Sequence, residues 1–431
     1  MSFHSGRVSF ARFRVTGQAP TVADTTVLEQ LAEYAFRESP IGAPSEIETG
    51  WTAGDHLFDT QFTYEKNIFG ASDVLLFALR IDTNKPPADV KQAYRQMHIA
   101  QLAAGNPSGF ASRAQKREAA ELADRQLQEE LAAGRYRRSK LVPVMWDLSS
   151  NTLYCSGTGS SIAEQLALLM QRCFKLDIEP LTAGSLAGEL MQAAGQRREF
   201  EDLRPSPFTA PPPQARVDHE DASGPQELSI PTTPWAFASH NTRDFLGNEW
   251  LIWLWWKIET DEGMIDIALP NGGKSEIGLV IDKSLEMDCA WGAAGKQTLR
   301  GDGPTRLPEA GEALAMGKWP RKAGLILADA TEGMQWELSL QADRMVVSSA
   351  ALPQVSDAET ARQLTEARVI LTRKLCDSLD GLYRAFLEER TSPSWSSRRQ
   401  SIRQWIRDRR KPRTLQGTSP LPEPVVVEAT A

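Results

Sequence analysis

A chain of 431 residues exceeds what one hydrophobic core usually organises, which predicts two or three domains. Its 41% apolar residues and twelve tryptophans can fill sizeable cores, and no stretch approaches the roughly 20 apolar residues of a bilayer-spanning helix, so no membrane partner is expected. The net charge of −8 speaks against a uniformly basic nucleic-acid binder, but an average can hide a basic pole.

The start, "MSFHSGRVSFARFRV", lacks an apolar core and a small-residue cleavage pattern, so the expected location is the cytoplasm. "RVSFARFRV" alternates like a strand, and "TTVLEQLAEYAF" places Leu28, Leu31, Ala32 and Ala35 on one helical face. "QFTYEKNIFG" and "DVLLFALRID" pair as a hairpin, and "PPADVKQAYRQMHIAQLAAG" forms a helix opened near Pro87 and ended by Gly105. A charged helix over about 112–133 follows, then strands "KLVPVMWDL" and "NTLYCSG" about a Ser149–Ser150 turn, the helix "SSIAEQLALLMQRCF" and the strand "KLDIEPL". Cys155, Cys173, Cys289 and Cys376 lack paired spacing and read as buried reduced thiols, with neither a disulfide framework nor a zinc site.

From about Arg197 to Thr233 the chain is rich in Pro, Ser and acids, as in a linker or surface excursion. "RDFLGNEWLIWLWWKIETDEG" then puts Trp250, Trp253, Trp255 and Trp256 into seven residues. Acids ahead of the run and Lys257 behind it suit a helix, and a helix apolar on nearly all sides belongs in a core rather than on a base-stacking surface. "GMIDIALP", "SEIGLVIDKSLEMDCAW", "KAGLILADA", "MQWELSLQ" and "RMVVSSAAL" read as strands. A helix over about 356–390 carries Leu364, Leu371, Leu375, Leu379, Leu382 and Phe386 as one stripe, suited to the chain's own core or to a dimer seam. The fold class is therefore α+β: an alternating strand/helix region over 1–195, a Pro/acid-rich linker over 196–233, a β-rich region closed by a long helix over 234–392, and a basic segment with a tail over 393–431.

Signals for catalysis are absent. "SGTGSSIAEQ" lacks the lysine and spacing of a phosphate loop, and Ser161 with Glu164 is read as a capping box. "PNGGKSEIG" has Ala268 where a Walker loop requires glycine, which leaves a hairpin turn. The five histidines lack metal spacing, and "VDHEDA" at 217–222 lies in the linker. No nucleophile elbow occurs, so neither an enzyme nor a cofactor or metal is expected.

Charge is more informative. In the helix after Ser112, Arg113, Lys116 and Arg117 interleave with acids, as on a solvated face laced by i,i+4 pairs. "GRYRRSK" holds Arg135, Arg137, Arg138 and Lys140 around Tyr136 with no acid inside it, a pattern suited to phosphate contact. From Trp395 to Arg413 eight basic residues face Asp408 alone, a local +7 that leaves −15 elsewhere. There Ile402, Trp405 and Ile406 share a helical face while Arg398, Arg399, Arg403 and Arg407 spread over the rest, which also suits an anionic surface or an acidic partner.

The order of several landmarks resembles the RdgC family of bacterial recombination-associated DNA-binding proteins, in a divergent, longer form. They are the N-terminal strand, "ETGW" at 48–51, "SRAQKRE" opening at Ser112, "VMWDLSSNTLYCSGT" at 144–158, "LDIEPLT" at 176–182 and "DFLGNEWLIWLWW" at 244–256. They cover most of residues 1–260; beyond that the likeness is of order rather than motif. The resemblance implies a non-enzymatic homodimer whose positively charged ring surrounds double-stranded DNA with little sequence preference and limits access of the RecA recombinase, hence a nucleoid-associated protein. Two departures matter: "LAAGRYRRSK" stands where better-known members carry a Leu-Pro-Arg-Ala-Phe-like segment, and the overall charge suits a basic stripe better than a uniformly basic hole. The rival reading is a protein-binding scaffold that docks an acidic partner through the long helix and the basic segment. A nuclease would need clustered carboxylates, which the sequence offers only in the linker.

Overall fold

The computed structural model describes residues 3–38, 46–212, 230–239, 241–292, 295–356 and 358–409. "VDHEDA", His240, Arg410, Lys411, Arg413 and the tail after them lie outside the described residues. In chain order the first elements are β1 (Val8–Thr16), α1 (Thr25–Glu33), β2 (Ile47–Thr52), α2 (Tyr64–Asn67), β3 (Ile68–Phe69), β4 (Val74–Asn84), α3 (Ala88–Ala103), α4 (Arg113–Ala132), β5 (Arg137–Asp147), β6 (Thr152–Cys155), α5 (Ser160–Phe174), β7 (Asp177–Pro180) and α6 (Ala183–Ala193). Then come α7 (Arg197–Asp202), α8 (Pro234–Phe237), α9 (Phe245–Thr260), β8 (Met264–Ala268), β9 (Lys274–Cys289), β10 (Gln297–Gly301), α10 (Pro308–Ala315) and β11 (Lys318–Asp329). The last are β12 (Met334–Gln341), β13 (Val346–Ala351), α11 (Ala361–Thr391) and α12 (Trp395–Arg409), so the chain is α+β.

Two compact units result: Met1–Leu186 with Met334–Leu379, and Ala187–Gly333 with Asp380–Ala431. The linear division at 195 and 233 gives way to an interleaved one, because β13 returns to pair antiparallel with β1 through Val8↔Ala350 and Phe10↔Val347. Part of the expected linker is also packed structure. It contains α7, and Phe208 is buried edge-on against Trp395, its ring centroid 5.6 Å from that of Trp319.

The first unit is built on an antiparallel sheet in the order β12-β13-β1-β6-β5-β4-β2, with β3 added to β4 and β7 to β1. One face carries α1 and α5: Val27, Leu28 and Leu31 from α1 and Leu166, Leu169 and Met170 from α5 close over Phe13, Trp51, Phe77, Trp146 and Leu153. α1 starts where the Asp24 carboxylate accepts from the Val27 amide. The Gly50 of "ETGW" has no room for a side chain, since a Cβ there would collide with the Phe36 backbone. Ser161 and Glu164 do not form the expected capping box: the N-cap of α5 is Gly159, two residues earlier, and it makes no side-chain cap. The capping box lies at α4, where Ser112 and Gln115 satisfy each other's backbone amides. From α11, Arg373 forks onto Asp147 and reaches Asp73 at 2.8 Å.

The second unit is organised about α9, which is buried from Phe245 through Trp256. Trp250 packs edge-on against Tyr383, Trp253 lies 5.8 Å from Phe386, and Trp255 meets Trp405 edge-on, so the tryptophan helix is core. Its one fully buried charge, Glu249, is held by Arg390 at 2.7 Å and by the Ser206 amide. Strands pair in the order β10-β9-β11 with β8 on the first half of β9, and "PNGGK" makes the β8–β9 turn with Gly272 at φ +79°. α11 contributes to both units: its stripe is buried at Leu371, Leu375 and Leu379 in the first and at Leu382 and Phe386 in the second, while Leu364 near its start is exposed.

Candidate nucleic-acid interface

Asn84 at the end of β4 pairs with Arg137 at the start of β5, so α3 and α4 form a helical insertion between neighbouring strands. They pack antiparallel through Tyr94 to Glu130 and His98 to Gln126, and α4 buries Ala119, Ala123 and Leu127 at four-residue steps. α3 buries no residue. At the root of this hairpin the basic stretch 135–140 is sorted by what each side chain meets.

Arg135 and the Tyr136 hydroxyl both donate to Glu130. The Tyr136 contact, with help from Tyr94 and Arg135, holds the Glu130 carboxyl below its usual range, and the same contact with Glu130, together with burial and Tyr94, pushes the Tyr136 phenol upward. Arg137 turns to the sheet face that carries Arg80 and Asp82, where it pairs with Glu48 and lies 3.3 Å from Asp82. Arg80 completes that network. It donates to Asp82 at 2.7 and 2.8 Å and stacks on Phe36 at 3.9 Å, and the Asp82 hydrogen bonds raise its pKa. "GRYRRSK" contains no acid, but the fold supplies Glu130, Glu48 and Asp82, so Arg135 and Arg137 are neutralised, contrary to the sequence expectation.

Arg138 and Lys140 belong to the opposite face. Their register partners Thr83 and Ile81 continue the line Leu79–Val142 and Phe77–Val144, which is the face that bears the α1/α5 core farther along. Alternation of side chains along a strand therefore sends 138 and 140 to one side and 137 to the other. Both are exposed and form no ion pair among the described residues. Two residues along a strand set their Cα atoms roughly 6.6 Å apart.

Arg113 and Lys116 are exposed and unpaired among the described residues, whereas Arg117 pairs with Glu121 one turn on. They sit at the far end of α4 from the root, about 30 Å from Arg135 at 1.5 Å per residue, so the seven candidate residues of this unit form two separate groups. Arg95 on α3 and Arg125 on α4 are also exposed and unpaired among the described residues. In sequence Arg125 reads as part of the solvated face it shares with Arg113, Lys116 and Arg117, whereas Arg95 is missed because no basic run marks it.

On α12 the helical period does the sorting. Ile402 and Ile406 are buried, and Arg409 turns inward onto Glu259 between Trp255 at 4.7 Å and Trp405 at 5.1 Å. Arg398 pairs with Glu389 and lies over Trp256. Arg399, Arg403 and Arg407 recur at four-residue steps with no ion pair among the described residues. Burial lowers the Arg403 pKa, and Arg407 and Arg399 lower it further as like charges. The Arg399 Nε is buried without a hydrogen-bond partner among the described residues.

Of the eleven candidate residues, four are thus neutralised (Arg117, Arg135, Arg137, Arg398) and seven present charge. No family model matches the chain, and no curated protein matches it. Among the described residues no group of three or more His, Cys, Asp or Glu could hold a metal ion, and no helix is long and apolar enough to cross a membrane.

Proposed function

We propose that this protein binds double-stranded DNA through phosphates, without reading sequence. In this reading it acts without catalysis, as a homodimer that encircles or coats the duplex in the nucleoid and limits access of RecA. The observation that supports it best is the Arg138–Lys140 pair: two exposed cations at strand spacing, without acids, on a strand whose other arginine is fully committed to Glu48 and Asp82. The row Arg399, Arg403 and Arg407 adds a second unneutralised surface. Cations spaced along rigid elements suit a phosphate backbone, and binding of this type needs no base-reading motif. Ten of the twelve tryptophans are buried and Trp235 and Trp405 half-buried, so the indoles offer little stacking surface to single-stranded bases. The family resemblance supports the homodimer and RecA parts of the proposal.

Fluorescence anisotropy with random-sequence duplex and single strand, over a salt series, tests the reading. Duplex binding should be the tighter, and its affinity should fall linearly in log-log salt by about 0.9 per phosphate neutralised. Salt-insensitive binding, or preference for the single strand, would refute it. Light scattering of the protein alone checks the homodimer.

A further inference from the structure

The arm made of α3 and α4 ends in a tip loop over 104–112 that is bonded on several sides. The Asn106 side chain donates to the Phe110 carbonyl at 2.7 Å and to the Gln115 side chain at 2.6 Å, and Gln115 donates in turn to the Leu102 carbonyl at the end of α3. Gly109, at φ +69°, turns the chain back toward α4. Held out by this frame, Phe110 is 80% exposed, the most exposed large apolar side chain among the described residues. No other large apolar side chain stands in the loop. Arg113 and Lys116 follow within six residues, exposed and without an ion pair among the described residues. The next acid, Glu118, lies on the side of α4 away from Lys116, about 160° round the helix.

We propose that Phe110 is a wedge that enters one base step of duplex DNA and kinks it, while Arg113 and Lys116 hold neighbouring phosphates. This rests on the duplex reading and adds to it a deformation of the DNA. The isolation of the ring selects the partner. A stable protein interface takes about 800 Å² from each side, and a membrane surface takes a whole apolar helix face; one ring among small and polar residues supplies neither. A base step needs only one apolar side chain to part it. Arg113 is three residues from Phe110, so their Cα atoms are at most about 11 Å apart, and an arginine side chain spans from there to a phosphate beside the parted step. The positive end of the α4 dipole lies at the same point and favours the same phosphates. Because the loop is already bonded in place, little freedom is lost when the ring inserts. A wedge reads no base edge, which agrees with binding that ignores sequence.

The test uses the full chain and a duplex of about 30 base pairs with a central TA step, a step that unstacks readily. One version carries a donor and an acceptor dye at its ends, and the other carries 2-aminopurine at the central step. At saturating protein the ends should approach, corresponding to a bend of roughly 20–90°, and 2-aminopurine fluorescence should rise as the step opens. Phe110→Ala, at an exposed position that leaves the fold intact, should lose both signals and keep the salt slope, since no cation is removed. Phe110→Trp should restore both. Duplex binding without a bend, or a bend that survives in Phe110→Ala, would overturn the wedge and leave the duplex reading standing. Loss of the bend together with a smaller particle in light scattering of Phe110→Ala would assign the ring to contact between subunits instead. No duplex binding by the unsubstituted protein would overturn both readings.

Discussion

The two basic stretches, 135–140 and 398–409, look alike in sequence and are divided by different geometries. Along β5 the period is two, and it separates Arg137, locked onto Glu48 and Asp82, from Arg138 and Lys140, which are exposed beyond the end of the α1/α5 core. Along α12 the period is near four, and it separates Arg398 and Arg409, each held by an acid and laid over tryptophan, from the row Arg399, Arg403 and Arg407. Part of each run therefore holds the protein together, and only the remainder is available to a partner. Counting basic residues overstates the charge offered to DNA.

The largest expected effect comes from exchanging the two classes on α12. Arg409→Gln leaves Glu259 without its cation and strips a guanidinium from between two indoles, so it should cost about 3 kcal/mol in urea unfolding. Arg407→Gln, two residues earlier and exposed, should stay within about 0.5 kcal/mol. Equal costs would erase the distinction. On β5, Arg137→Gln loses two charged partners and should cost about 2 kcal/mol, with Arg138→Gln near zero.

Much of the fold was legible and part of the site was not, for reasons that differ by residue. α9 could be read because an all-round apolar helix has one stable location, a core. The return of β13 to β1 could not, because antiparallel pairing between strands at opposite ends of the chain leaves no local mark. Neither could the neutralisation of Arg137, whose acids lie on β2 and β4. Glu130 was within reach, five residues before Arg135, but that contact requires α4 to end and the chain to turn back through Gly134 at φ +72°. The misplaced cap at Ser161 shows the opposite case: the signature was present, and the helix started two residues too early to use it.

A pH experiment sharpens the difference between structural and outward cations within the first unit. Burial alone would raise the Asp147 pKa, but the Arg373 fork and the Ser149 hydroxyl outweigh it and hold the carboxyl below its ordinary 3.8. A depressed carboxylate contributes stability that is fully present above its unfolded pKa and is lost as pH falls through the folded one. Urea midpoints should therefore decline below about pH 4 in the unsubstituted protein. Asp147→Asn should lower the midpoint at pH 7 and flatten that decline; Arg138→Gln should leave the profile unchanged. A decline equally steep in Asp147→Asn would mean that the Arg373 fork does not govern acid stability.

The smallest effect on stability should accompany the clearest effect on binding. The double variant Arg138→Gln, Lys140→Gln removes two exposed cations with no ion pair among the described residues, so unfolding should shift by less than about 0.5 kcal/mol. If both meet phosphates, the salt slope for duplex binding should shrink by about 2, one for each phosphate no longer neutralised, and affinity should fall uniformly across sequences. Arg135→Gln is the matched control, because it changes net charge in the same stretch at a residue already committed to Glu130. A slope that falls as much per charge in that control would mean that long-range charge alone governs association. A slope that falls only in the double variant would tie binding to the exposed Arg138–Lys140 pair of β5.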